Sequence, residues 1–85
     1  GMNMSQPVEE HAEGTGLIKA IDKAAGTVTI SHHPIKAFDW PAMTMVFKVA
    51  DPKLLDKIAV DNTVQFTVQG KDMMKTTVTA LKVIH

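Results

Sequence analysis

The sequence predicts an all-β fold, a small five-stranded barrel of the OB type with one short helix between strands 3 and 4. Three observations indicate it: five short segments have strand-like patterns, only one short helical segment lies among them, and the chain has 85 residues. Five strands in so small a domain leave two sheet edges exposed unless the sheet closes on itself. An open sheet with the helix packed on one face is the alternative that the same element order allows.

The first two predicted strands follow a polar segment. Residues 1–13 are polar and aperiodic, which predicts a flexible leader, and the folded domain is expected over residues 14–85. Residues 14–22 mix apolar and polar side chains at strand spacing and end in a Lys-Ala-Ala-Gly turn. Residues 27–32 alternate with a period of two, which is typical of a half-buried strand.

A long loop separates the second strand from the third. It runs from His33 to Pro41 and contains two prolines, and long ordered loops often carry function. Residues 43–49 are again strand-like. Asp51 followed by Pro52 then predicts the start of the short helix, because aspartate is a good N-cap and proline suits the first helical position.

Two further strands complete the domain. Residues 63–69 alternate cleanly between apolar and polar side chains, and residues 70–72 turn the chain. Residues 75–84 are rich in Thr, Val and Ile, which favours a final strand.

Composition narrows the class of function. The chain has no cysteine, which excludes disulfides, thiolate metal sites and cysteine nucleophiles. Its formal net charge is zero, so it is a poor match for nucleic acid or an anionic membrane surface. No apolar run approaches the ~20 residues of a membrane span, and we expect no membrane insertion. Catalytic groupings of serine, histidine and carboxylate are not apparent either, so we expect no enzymatic activity.

The segment from His32 to Met45 gathers unusual side chains. Strand parity places His32 on the buried face of the second strand and both Met43 and Met45 on the buried face of the third. If the two strands pair antiparallel with these faces matched, the imidazole lies ~5 Å from the methionine side chains. Trp40 lies in the loop above them.

One imidazole and two thioethers form a soft donor set. Thioethers favour Cu(I), and the equally soft Ag(I) should follow, whereas Mg²⁺ and Ca²⁺ prefer oxygen and Zn²⁺ prefers thiolate, imidazole or carboxylate. The Trp40 ring could lie over a cation within ~6 Å. Each of these residues taken alone is also explained as a core or strand-end side chain, so the pattern leaves a metal site and an ordinary core both open.

Other candidate ligands are set aside by the same parity. His33 faces the opposite way from His32, so we expect it at the surface. Met73 and Met74 are consecutive and cannot share a strand face, so we interpret them as packing and edge residues.

The segment resembles the signature of a known family, the CusF-like periplasmic proteins that bind Cu(I) or Ag(I). The resemblance covers residues 14–84, and its specific part reads His32-x-Pro34-Ile35 and then Trp40-Pro41-x-Met43-Thr44-Met45. It implies an OB-type barrel that holds one Cu(I) or Ag(I) ion. By this resemblance the metal ligands are His32, Met43 and Met45, with the Trp40 ring stacked on the ion as a cation–π cap.

The resemblance also implies partners and a location. Such domains occur as free metallochaperones, or fused to the C-terminus of the periplasmic adaptor, of the CusB or SilB type, in heavy-metal RND efflux systems. We therefore expect a periplasmic, monomeric domain that delivers its ion to the adaptor and inner-membrane pump of such a complex, in copper or silver resistance. The alternative from a different class is an OB-fold module for nucleic acid or oligosaccharide without metal, which would need a basic groove and exposed aromatic residues.

Overall fold

The computed structural model describes residues 11–72 and 74–84 and contains five strands and two short 3-10 helices. The strands are β1 His11–Asp22, β2 Thr27–His32, β3 Met43–Val49, β4 Thr63–Gln69 and β5 Thr77–Val83. One 3-10 helix, Pro52–Lys57, lies between β3 and β4, which confirms the predicted short helix. The other, Lys36–Phe38, lies in the β2–β3 loop and was not predicted.

The sheet closes into a barrel in the order β1-β2-β3-β5-β4. Neighbouring strands are antiparallel except for β3 and β5, which pair in parallel. The first strand has 12 residues and is long enough to pair with both β2 and β4. Closure pairs both edges of the sheet, so the predicted barrel is confirmed and the open sheet is excluded.

The barrel interior is apolar and tightly covered. Leu55, from the 3-10 helix between β3 and β4, is fully buried and joins the core. That helix begins as predicted, because the Asp51 side chain accepts a hydrogen bond from the Lys53 N–H at 2.9 Å. The strand residues that are no more than 1% exposed are Ile18, Val28, Ile30, Phe47, Val64, Phe66, Val68 and Val78.

The structure differs from the predicted domain boundary at residues 11–13, which were expected in the leader but begin β1. They pair with the end of β4, and Ala12 is buried opposite Val68. Their polar local sequence does not favour a strand, so the pairing depends on a distant partner. The rest of the predicted leader, residues 1–10, lies outside the described residues. No helix in the described part of the chain is long and apolar enough to cross a membrane.

Candidate metal centre

His32 ends β2 and points into the barrel, as strand parity predicts. It is 3% exposed, and its ring centroid lies 5.9 Å from that of Phe47 and 6.4 Å from that of Phe66. Its Nδ1 lies 2.8 Å from the carbonyl oxygen of His33, and its Nε2 lies 3.4 Å from Sδ of Met45. A histidine buried this completely needs partners for its ring nitrogens. These two contacts therefore decide which ring nitrogen carries the proton and which can bind a ligand.

The contact at Nδ1 assigns the tautomer of His32. A carbonyl oxygen can only accept, so Nδ1–H donates to His33; when the ring carries one proton, that proton is therefore on Nδ1 and Nε2 keeps a lone pair. The Met45 sulfur also carries lone pairs, so two electron-pair donors face each other at 3.4 Å. A soft cation bound to both would satisfy them, and a histidine whose other nitrogen is held by a carbonyl is typical of metal ligands.

The backbone of His33 is fixed on both sides of this contact. Its N–H donates to the Thr15 carbonyl at 3.0 Å, and the following Pro34 restricts it to extended conformations. Its own side chain is exposed, as predicted. The carbonyl that orients the imidazole is therefore held in place by β1.

The two methionines lie on β3 beside the imidazole. β2 and β3 pair antiparallel, as predicted, with Met43 opposite His32 and Met45 opposite Ile30. Met45 is partly buried and packs against the core, as expected. Met43 was also expected on the buried face but is 39% exposed, because it is the first residue of β3 and lies at the end of the strand. The Met45 thioether is thus better shielded from solvent than the Met43 thioether.

Trp40 is held at the end of a loop that closes on itself. Backbone hydrogen bonds of 3.0 and 3.1 Å join Ile35 and Trp40 in both directions. Between them, Asp39 adopts a left-handed conformation with φ 62° and donates its N–H to the Lys36 carbonyl. This tight closure brings the indole back over the barrel end.

The indole lies among the aromatic side chains of the core. Trp40 is 4% exposed, and its ring is 6.1 Å from the His32 ring, 5.2 Å from Phe38 and 6.3 Å from Phe47. Its Nε1–H donates to the carbonyl of Lys71 at 3.2 Å. An ion bound between the imidazole and the indole would lie within cation–π range of the indole ring.

The donors that the fold brings together are neutral and soft. Within residues 11–72 and 74–84, no group of three or more His, Cys, Asp or Glu side chains could hold a metal ion. The soft donors in contact are instead the His32 imidazole and the Met45 thioether. Met43 joins them only through the backbone, because it pairs with His32 across β2 and β3. Such a set suits Cu(I) or Ag(I) better than Zn²⁺ or Mg²⁺.

Sequence reasoning missed two backbone groups that orient side chains of the candidate site. The carbonyls of His33 and Lys71 orient the imidazole and the indole, and no side-chain pattern reports a carbonyl. Met74 is 90% exposed, which fits the edge position expected for one methionine of the pair. Met73, the other methionine of that pair, lies outside the described residues.

The sequence model of the family described as "Copper binding periplasmic protein CusF" matches residues 11–83. The cation efflux system protein CusF of Escherichia coli (strain K12) is 35% identical over 63 residues, which are 74% of this chain and 57% of that protein. The chain thus spans little more than half the length of the curated relatives it matches.

Solved structures show the same barrel. Apo-CusF from Escherichia coli has a TM-score of 0.80 at 28% identity over 100% of both chains. The Ag(I) form of CusF has a TM-score of 0.76 at 26% identity, over 96% of this chain and 100% of that chain. The C-terminal domain of SilB from Cupriavidus metallidurans has a TM-score of 0.74 at 22% identity, over 87% of this chain and 88% of that domain. This is a likeness of fold alone. With a family match from β1 to the end of β5, the chain belongs to the CusF family of copper-binding periplasmic proteins.

Proposed function

We propose that this chain is a periplasmic domain that binds one Cu(I) or Ag(I) ion. The ligands are Nε2 of His32 and Sδ of Met43 and Met45, and the Trp40 indole lies against the ion. The observation that carries the proposal is the 3.4 Å approach of Nε2 to the Met45 sulfur, with Nδ1 bonded to a carbonyl. The CusF relative solved with Ag(I) supports the choice of ion.

We further propose that the domain transfers its ion to a heavy-metal efflux system. Neutral ligands hold a cation without a large charge attraction, so a partner with thioether or thiolate ligands can take it. Met43 is 39% exposed while His32 is 3% exposed, so an incoming ligand reaches the Met43 side of the ion first. Met43 is therefore the ligand we expect to leave first.

The acceptor we propose is a tripartite RND efflux complex, through its periplasmic adaptor or inner-membrane pump. The name of the CusF relative, a cation efflux system protein, supports this role. The shared fold of the SilB C-terminal domain suits both a free metallochaperone and a domain of a larger adaptor. Three protein donors and an indole leave no open position for a substrate, so the role is binding and transfer rather than catalysis.

The alternative, a module that binds nucleic acid or oligosaccharide, would need exposed aromatic rings, and the structure does not provide them. Binding of single strands by OB folds relies on exposed aromatic rings for stacking. All four aromatic residues of this chain are buried, none more than 9% exposed: Phe38, Trp40, Phe47 and Phe66.

A titration with silver nitrate in chloride-free buffer tests the proposed site, with the emission of the single tryptophan as the readout. We expect quenching or a spectral shift that saturates at one equivalent. Met45→Leu should weaken binding by more than about tenfold, because it removes the thioether in contact with Nε2. Met43→Leu should also weaken it.

The matched control is Met74→Leu, which removes a thioether that is 90% exposed. It should leave both affinity and stoichiometry unchanged. An unchanged emission of the folded wild-type chain on adding Ag(I), or equal losses in the Met45 and Met74 variants, would contradict the proposed site. The same titration with Cu(I) under anaerobic reducing conditions compares the two ions.

A further inference from the structure

We propose that the β4–β5 turn, described over residues 70–72 and 74–76, is a positioning element of the metal site, because it holds the Trp40 indole in place through the Lys71 carbonyl. The inference deepens the proposed function and rests on it for the effect on metal affinity. The hydrogen bond between the Trp40 indole and the Lys71 carbonyl, called the tether below, can be tested in the metal-free chain.

The tether joins two segments that are distant in sequence. Trp40 Nε1–H donates to the Lys71 carbonyl at 3.2 Å across 31 residues. The other hydrogen bonds of Trp40 are to Ile35, within its own loop. Ring contacts with Phe38 and Phe47 pack the indole without being directional at Nε1. The hydrogen bond to Lys71 is the contact that favours one direction of the Nε1–H.

The turn is built so that this carbonyl has a defined position. At its base, buried Thr76 donates its hydroxyl to the Gln69 carbonyl at 3.2 Å. At its tip, Asp72 accepts two hydrogen bonds of 2.9 Å: its side-chain oxygen accepts one from the Met74 N–H, and its backbone carbonyl accepts one from the Lys75 N–H. The residue that directs the chain from β4 toward Trp40 is Gly70, whose φ of +95° disfavours any residue with a Cβ.

A displaced turn would release the indole without removing any ligand. The imidazole and the methionines belong to β2 and β3, so they would stay where they are. What would be lost is part of the ring's contact with the ion and its exclusion of water. A cation–π contact of ordinary strength accounts for roughly three- to thirtyfold in affinity. The turn therefore sets how tightly the site holds its ion.

Gly70→Ala tests this inference, with Gly26→Ala as the matched control. Gly26 also has a positive φ, of 70°, lies in the β1–β2 turn, and would meet nothing within 4 Å of an added Cβ. Gly70→Asn is the conservative variant, since asparagine tolerates positive φ better than alanine. All three chains are compared with wild type for the ¹H–¹⁵N resonance of the single indole N–H, its hydrogen exchange, and the Ag(I) dissociation constant.

We expect a slowly exchanging indole proton in wild type and in Gly26→Ala. In Gly70→Ala we expect faster exchange, a shifted resonance and a three- to tenfold higher dissociation constant, with recovery in Gly70→Asn. An indole proton that exchanges freely in metal-free wild type, or equal effects of the two alanine variants, would overturn the tether. Normal Ag(I) affinity in a Gly70→Ala chain with a shifted indole resonance would overturn its role in binding. Failure of wild type to bind Ag(I) contradicts the proposed function instead and leaves the exchange test of the tether decisive.

Discussion

At the scale of single residues, two consecutive histidines have opposite roles. His32 is 3% exposed and faces the Met45 sulfur. The His33 side chain is exposed, and the part of His33 that contacts the imidazole is its backbone carbonyl. Strand parity alone predicts this difference, because adjacent residues point to opposite faces. Parity could not predict which carbonyls orient the imidazole and the indole, since every residue carries the same backbone acceptor.

The histidine pair therefore provides a controlled test of ligation. His32→Leu should weaken Ag(I) binding by at least about a hundredfold, because losing a ligand costs more than the 10–100-fold typical of losing an outer partner. His33→Leu keeps the backbone carbonyl that holds the imidazole, so it should bind as wild type does. Competition of each variant with a soft-metal chelator of known affinity measures both constants. Comparable weakening in the two variants would argue against ligation by His32.

At the scale of elements, the sequence predicts strands well where both periodicity and residue type agree. The bounds of β2, β3 and β4 match the predicted segments, because β-branched and apolar residues alternate along them. β5 begins at Thr77 rather than at residue 75, since Lys75 bonds back to Asp72 in the turn. The start of β1 was missed because its pairing with β4 is remote in sequence.

A pair of glycines in β1 shows how closely that strand approaches the site. A Cβ at Gly16 would lie 2.6 Å from the Ser31 carbonyl and 2.9 Å from Cα of His32, whereas one at Gly14 would meet the tip of the Ile35 side chain at 2.9 Å. Backbone cannot yield as a side-chain tip can, so Gly16→Ala should destabilise the domain by about 1–3 kcal/mol. Gly14→Ala should cost less.

Urea unfolding, followed by circular dichroism, measures the free energy of unfolding of both variants. The comparison is controlled because both substitutions replace a glycine of the same strand and change the unfolded chain in the same way. A Gly16→Ala domain as stable as the Gly14→Ala domain would show that β1 and β2 can separate freely next to His32.

At the scale of the whole molecule, barrel closure assembles the candidate site from separate parts of the chain. The end of β2, the start of β3, the β2–β3 loop and the β4–β5 turn meet at one end of the barrel. The number of strands in a short chain favours a closed sheet over an open one. It does not predict that β3 and β5 close it in parallel over only two register pairs, Lys48 with Thr77 and Val49 with Val78, because such pairing depends on contacts remote in sequence.

A site assembled in this way should couple ion binding to global stability. Its proposed ligands come together only in the folded barrel, so Ag(I) stabilises the native state by mass action. Free Ag(I) at ten times the dissociation constant should add about 1.4 kcal/mol to the free energy of unfolding. For a domain of this size that is a rise of about 6–11 °C in Tm by thermal unfolding in nitrate buffer. Mg²⁺ should leave the Tm unchanged, and Met45→Leu should lose most of the Ag(I) shift. If the Met45→Leu domain gained as much as wild type, the stabilising ion would have to be bound elsewhere on the barrel.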